Sequence, residues 1–111
     1  MSGADINVAD LHGRSPLMYA AGCHHAECVA QMLRLGADAR RVDNHGSTAL
    51  HFVAGRCVDG GGGAKIVRLL VAAGCDAAVR DNAGLTAAEL ARSYTVGWGR
   101  VLEGWVAAAM A

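Results

Sequence analysis

The sequence predicts an all-α fold: a solenoid of stacked helix-turn-helix pairs with projecting β-hairpin loops, about three repeats long. Three observations predict it. The segments GADINVAD at 3–10, GADARRVD at 36–43 and GCDAAVRD at 74–81 align without gaps. After two variable residues each is followed by a glycine, at Gly13, Gly46 and Gly84. A run headed by a hydroxyl residue comes next: Ser15-Pro16-Leu17-Met18, Thr48-Ala49-Leu50-His51 and Thr86-Ala87-Ala88-Glu89. Asp10 to Asp43 spans 33 residues and Asp43 to Asp81 spans 38, so the second repeat carries five extra residues.

Within a repeat the order reads hairpin, helix, turn, helix. Gly13, Gly46 and Gly84 fall where a tight turn needs positive φ, which glycine adopts without steric cost. Ser15, Thr48 and Thr86 suit the N-cap and Pro16 the first helical position, so the first helices start near Pro16, Ala49 and Ala87. Thr86 with Glu89 completes a capping box. Second helices run from about Ala26 to Leu35 and from about Ala64 to Ala73, and Gly36 and Gly74 stop them. Val29, Met32 and Leu33 match Val67, Leu70 and Val71 as one apolar face. A last helix carries Trp98, Val101, Leu102 and Trp105 on an inward stripe, with Arg100 and Glu103 toward water. The insertion Asp59-Gly60-Gly61-Gly62-Gly63 is a flexible connector, and doubling such a loop costs only about 0.6 kcal/mol.

A chain of 111 residues has room for one domain, 1–111, divided at roughly 10–42, 43–80 and 81–111 after a hairpin arm at 1–9. Ten basic residues, nine of them arginine, balance ten acidic ones, which argues against nucleic acid and anionic membrane as partners. No run approaches the length of about 18 apolar residues that a membrane span needs. Asp5 stands where a secretory signal would be basic or apolar, so an intracellular location, cytoplasmic or nuclear, is expected. Cys23, Cys28, Cys57 and Cys75 are too irregular for a secreted disulfide framework.

A 33-residue period with a TPLH-like helix start resembles the ankyrin repeat family over nearly the whole chain, best at Asp43–His51. The resemblance implies L-shaped repeats whose helix pairs form the core and whose hairpins project sideways. It also implies a protein–protein interaction module, an adaptor or scaffold, with no enzymatic activity and no cofactor. The family's usual histidine is Met18 in repeat one and Glu89 in repeat three, so only Thr48 and His51 can make the hydroxyl–imidazole bond. Repeat one is therefore expected to be held less stiffly. Partner contacts in the family come from hairpin tips and the inner helix face. Here those positions are Leu11, His12 and Arg14, with Gly22 and Cys23, in repeat one. Repeat two supplies Val42, Asn44, His45, Ser47 and Arg56; repeat three supplies Arg80, Asn82, Ala83, Leu85 and Tyr94. The chain begins at the end of a repeat, which suggests a piece of a larger multidomain protein whose activity lies elsewhere. It also leaves the face of Leu17, Tyr19 and Met32 open to self-association through the N-terminal repeat.

Other chemistries weigh less. Cys23-His24-His25-Ala26-Glu27-Cys28 has soft ligands close together, but the repeat explains His25 as a turn residue and Cys28 as a small apolar position. DGGGGAK at 59–65 lacks the glycine before lysine and the hydroxyl after it that a phosphate loop needs. His51 is the one base to consider beside a cysteine nucleophile, yet its repeat position gives it to Thr48 and the backbone. Trp98 and Trp105, seven residues apart on a helix, read as core.

Overall fold

A computed structural model describes residues 6–55, 63–94 and 96–110, with the backbone alone for 94, 96–99 and 110. Six helices follow in chain order: α1 (Pro16–Gly22), α2 (Ala26–Arg34), α3 (Ala49–Ala54), α4 (Gly63–Ala72), α5 (Ala87–Tyr94) and α6 (Val96–Met110). There is no strand among the described residues, and among them no helix is long and apolar enough to cross a membrane.

The first helices begin where the sequence places them. Ser15 and Thr48 are extended, with ψ of 163° and 174°, and so turn the chain into its first helical turn. Thr48 Oγ1 accepts the His51 N–H at 3.4 Å, and Thr86 Oγ1 accepts the Glu89 N–H at 3.3 Å. The Glu89 carboxylate closes its box by accepting the Thr86 N–H at 3.0 Å. Ser15 departs from the expectation, because its Oγ is buried without a partner. Met18 Sδ takes the Ser15 N–H instead, at 3.5 Å. A thioether is a weak acceptor, so repeat one has the weakest of the three caps.

Second helices end on glycine. Gly36 and Gly74 have φ of 96° and 101°. Ala37 N–H donates to Met32 O and Cys75 N–H to Leu70 O, both at 3.0 Å, which satisfies carbonyls the helix leaves over. The first of these ends also ties down the N-terminal arm: Asn7 Oδ1 accepts the Asp38 N–H at 2.7 Å and Asn7 O accepts from Arg41 Nη1 at 3.0 Å.

Two helical layers result. α3 packs between α1 and α5, while α4 packs between α2 and α6. Leu17, Met18, Val29, Leu50, Val53, Ile66, Val67, Leu70 and Leu102 are all fully buried between them. Of the predicted inward stripe on α6, Leu102 is buried and Trp105 half-buried, but Val101 is 45% exposed. Among the described residues α6 packs mainly on α4 and α5, so its covered stripe is narrow. Arg100 and Glu103 do face water. Trp98 and the insertion up to Gly62 lie outside what the side-chain description covers, as do Cys57 and the first five residues of the arm. Gly63, the last insertion residue, opens α4, and a Cβ there would come within 2.6 Å of the Trp105 ring.

Candidate functional site

The surface residues are positioned by three copies of one turn. Asp10 Oδ1 accepts the His12 and Arg14 N–H groups at 2.9 Å, and Asp43 Oδ1 does the same for His45 and Ser47. Asp81 Oδ1 accepts from Ala83 at 2.9 Å and from Leu85 at 3.0 Å. An aspartate that binds backbone ahead of itself fixes the turn before any partner arrives.

Neighbouring turns are then linked edge to edge. Asn44 N–H donates to His12 O at 2.9 Å and Asn82 N–H to His45 O at 2.8 Å. The Asn44 and Asn82 side-chain amides reach back to Leu11 O and Asn44 O, each at 3.2 Å. Gly13 is required twice over: its φ is 77°, and a Cβ would lie 2.5 Å from Asn44 Oδ1.

Beneath these turns runs a groove of 390 Å³ along the first helices. Of the residues expected from the sequence it gathers Arg14, Gly22, Cys23, His45 and Ser47. Sequence reasoning missed Phe52 and Leu90 and gave Tyr19 to the N-terminal face instead; the three supply the apolar surface of this groove. The repeat register carried a signal for Tyr19 and Phe52, since they occupy equivalent positions 33 residues apart on α1 and α3. The Arg14 guanidinium stands 5.8 Å from the Phe52 ring centroid, with Nε 3.9 Å from Asp43 Oδ2. The Tyr19 hydroxyl, and the charges of Asp10 and Asp43, raise the Arg14 pKa above its ordinary value.

The other expected residues lie outside the groove. Leu11 is 95% exposed at its tip, and His12, Val42 and Ala83 are also exposed. Asn44 and Asn82 face water while bonding the adjacent turn. Leu85 is half-buried. Arg80 is engaged within its own repeat, donating to Glu89 Oε1 at 2.9 Å and to Gly84 O at 2.7 Å. Arg56 and the Tyr94 side chain lie outside the described residues.

The histidines and cysteines sort clearly. His51 has both ring nitrogens engaged: Nδ1 lies 2.9 Å from Thr48 Oγ1 and accepts Thr48 N–H at 3.0 Å, and Nε2 lies 2.8 Å from Leu85 O. Cys75 is buried, which pushes its thiol pKa up and disfavours the nucleophilic thiolate. Cys28, expected at a small apolar position, is exposed, because nothing among the described residues packs over that side of α2. His25 heads α2, but the left-handed turn residue is His24, with φ 58°. His24 is buried, its Nε2 3.2 Å from Val53 O. Among the described residues no three metal-binding side chains converge.

The turns also set an acid response. Asp10 is lowered from 3.8 to about 2, first by the Tyr19 hydroxyl it accepts and then by the Arg14 N–H. Glu89 is lowered too, first by the Thr86 N–H and also by Arg80. Both groups bind protons more readily unfolded than folded, so the stability they contribute is present above their ordinary pKa and lost as pH falls through the folded value. The melting temperature should therefore drop on acidification from about pH 4.5 toward about pH 2. Asp10→Asn should flatten that slope in a thermal melt series; an unchanged slope would remove Asp10 from the account.

Comparison with known proteins bears on the whole arrangement. A family model for ankyrin repeats in three copies matches residues 1–81. Inversin of Gallus gallus is 34% identical over 77 residues, which cover 69% of this chain and 6% of that protein. The B-cell lymphoma 3 protein homolog of Mus musculus is 36% identical over 95 residues, 85% of this chain and 20% of that protein. Zygote-specific protein 3 of Chlamydomonas reinhardtii is 38% identical over 87 residues, 78% of this chain and 22% of that protein. The chain spans at most about a fifth of the length of these relatives.

Proposed function

The chain belongs to the ankyrin-repeat family, and from that premise we propose that it is a protein-binding module whose contact surface is the groove under the hairpin turns. Ankyrin repeats are in general protein–protein interaction modules. The observation that supports the groove is the convergence of Arg14, Gly22, Cys23, His45 and Ser47, from two repeats, around Tyr19 and Phe52. Arginine and aromatic side chains are the usual anchors of interfaces. Arg14 is already oriented by Asp43 and Phe52, so little side-chain freedom remains to be lost on binding. Binding rather than catalysis fits a His51 with no nitrogen left over and a thiol at Cys75 kept protonated.

The length of the relatives favours a second element of the reading: the repeats serve as the docking part of a longer protein whose activity resides elsewhere. The exposed free thiols of Cys23 and Cys28 fit a reducing, intracellular compartment.

The test pairs Gly22→Glu with His45→Glu, which fills the groove with charge from two sides. Gly22 has room, since a Cβ would meet Phe52 at an ordinary 3.6 Å. His45 is exposed. Each change should alter stability by no more than about 0.5 kcal/mol. Proteins retained by the immobilised chain should be bound at least about tenfold more weakly by the variant, a loss of about 1.4 kcal/mol. Undiminished retention by a folded double variant would place the binding face elsewhere.

A further inference from the structure

Phe52 lies on α3, with α1 packed on one side and α5 on the other, and is still only half-buried. The groove under the turns is thus open within the stack, and its floor repeats. Tyr19, Phe52 and Leu90 hold one register position on α1, α3 and α5. Gly22 and Gly55 follow three residues later, so a strip without side chains runs beside the apolar row.

Packed helices stand about 8–10 Å apart, which sets the step from one floor position to the next. Three residues of polyproline II helix cover about 9.3 Å and return the side chain to the same face. Three residues of a β-strand cover about 10 Å but turn the side chain to the opposite face. Seven residues of α-helix cover about 10.5 Å and do return, but a helix keeps its carbonyls for itself.

Those carbonyls matter because the rim of the groove offers donors. Asp43 is 2% exposed at its side chain and gives Oδ1 to the His45 and Ser47 N–H groups. His51 has both ring nitrogens engaged. What meets a ligand is the Arg14 guanidinium, 32% exposed, with the His45 ring and the Ser47 hydroxyl. Arginine can only donate, and the other two can donate as well. A polyproline II segment has no internal hydrogen bonds, so its carbonyls are open, and each proline removes an N–H that would need an acceptor. Arg14 also sets the sign of charge at the surface, since Asp43 lies beneath it.

We infer that the groove takes a proline-containing polyproline II segment of a partner protein, with a proline or aliphatic residue at every third position on the row of Tyr19, Phe52 and Leu90 and one carboxylate side chain against Arg14. This rests on the reading of the groove as the contact surface and names what enters it.

The experiment pans the immobilised full chain against a displayed library of unbiased peptides of about 12 residues, enough for about four turns of polyproline II. Enriched peptides should carry proline, apolar residues three apart and one Asp or Glu, and bind with Kd on the order of micromolar. Changing that Asp or Glu to its amide should weaken binding to the parent chain at least about tenfold, and to a folded Arg14→Gln variant hardly at all. His45→Glu, at an exposed position, is a second check: it sets a like charge in the groove and should weaken the acidic peptides more than their amide forms. An acid equally valuable to parent and variants would overturn the pairing with Arg14. Peptides that lose the Gly22→Glu, His45→Glu double variant but lack proline and show a period of two or seven would overturn the inference while keeping the groove as the contact surface. Peptides that bind the double variant as tightly as the parent would overturn the groove itself. Failure to enrich any peptide would also count against the inference, and the retained partners would still test the groove.

Discussion

Replacing Leu50 with alanine should lower the free energy of unfolding by about 2–5 kcal/mol, the range for deleting a fully buried leucine. Leu50 has no exposure and sits on α3, the helix that touches α1, α4 and α5. A cavity there loosens contacts on every side, and the surrounding helices cannot close in without leaving their own neighbours. The loss is a large share of the roughly 5–15 kcal/mol that a small domain has in total. Leu35, 63% exposed at the end of α2, is the control: Leu35→Ala should change stability by about 0.5 kcal/mol or less. Urea denaturation of both variants decides the matter. Comparable losses at the two sites would contradict the two-layer packing.

His51→Ala should cost about 2–4 kcal/mol, because it unpairs polar groups that are out of water. The imidazole is 3% exposed and bridges two repeats, with Thr48 on one side and the Leu85 carbonyl on the other. Removing it strands the buried Thr48 N–H and takes one partner each from the Thr48 hydroxyl and the Leu85 carbonyl, which keep the residue 51 N–H and the Asp81 N–H. The loss should be local as well as global. Amide exchange in α5 (Ala87–Tyr94) should speed up more than in α1, because the bond crosses from repeat two to repeat three. Equal protection of α5 in variant and parent would mean that the bridge does not couple the repeats.

The starts of α1, α3 and α5 were legible in the sequence because their signals are local. A hydroxyl residue after a turn glycine needs no tertiary partner to act as it does, and Thr48 with His51 lies within one helical turn. Even there the pattern misleads once: Ser15 stands in the right place, but Met18 replaces the histidine and leaves Ser15 Oγ without a partner. Long-range facts were harder to read. Phe52 lies 5.8 Å from the Arg14 guanidinium of the preceding repeat, a contact that no local pattern reveals. Val101 looks as apolar as Leu102, yet among the described residues Leu102 is buried and Val101 is not, a difference that lies in the packing of α6 on α4 and α5. His24 holds a left-handed turn that glycine usually fills, supported by a backbone carbonyl 29 residues away. Asn44 and Asn82 read as recognition residues at exposed tips, while their amides hold the row of turns together.

The central claim is that a partner protein sits in the groove between the turns and the first helices. Amide chemical-shift mapping on the labelled chain, with a retained partner added, tests it most directly. The account predicts shifts that cluster at Tyr19, Gly22, His45, Ser47, Phe52 and Gly55, residues that share one surface though they come from two repeats. Shifts confined to α2, α4 and α6, with those six amides unmoved, would contradict it.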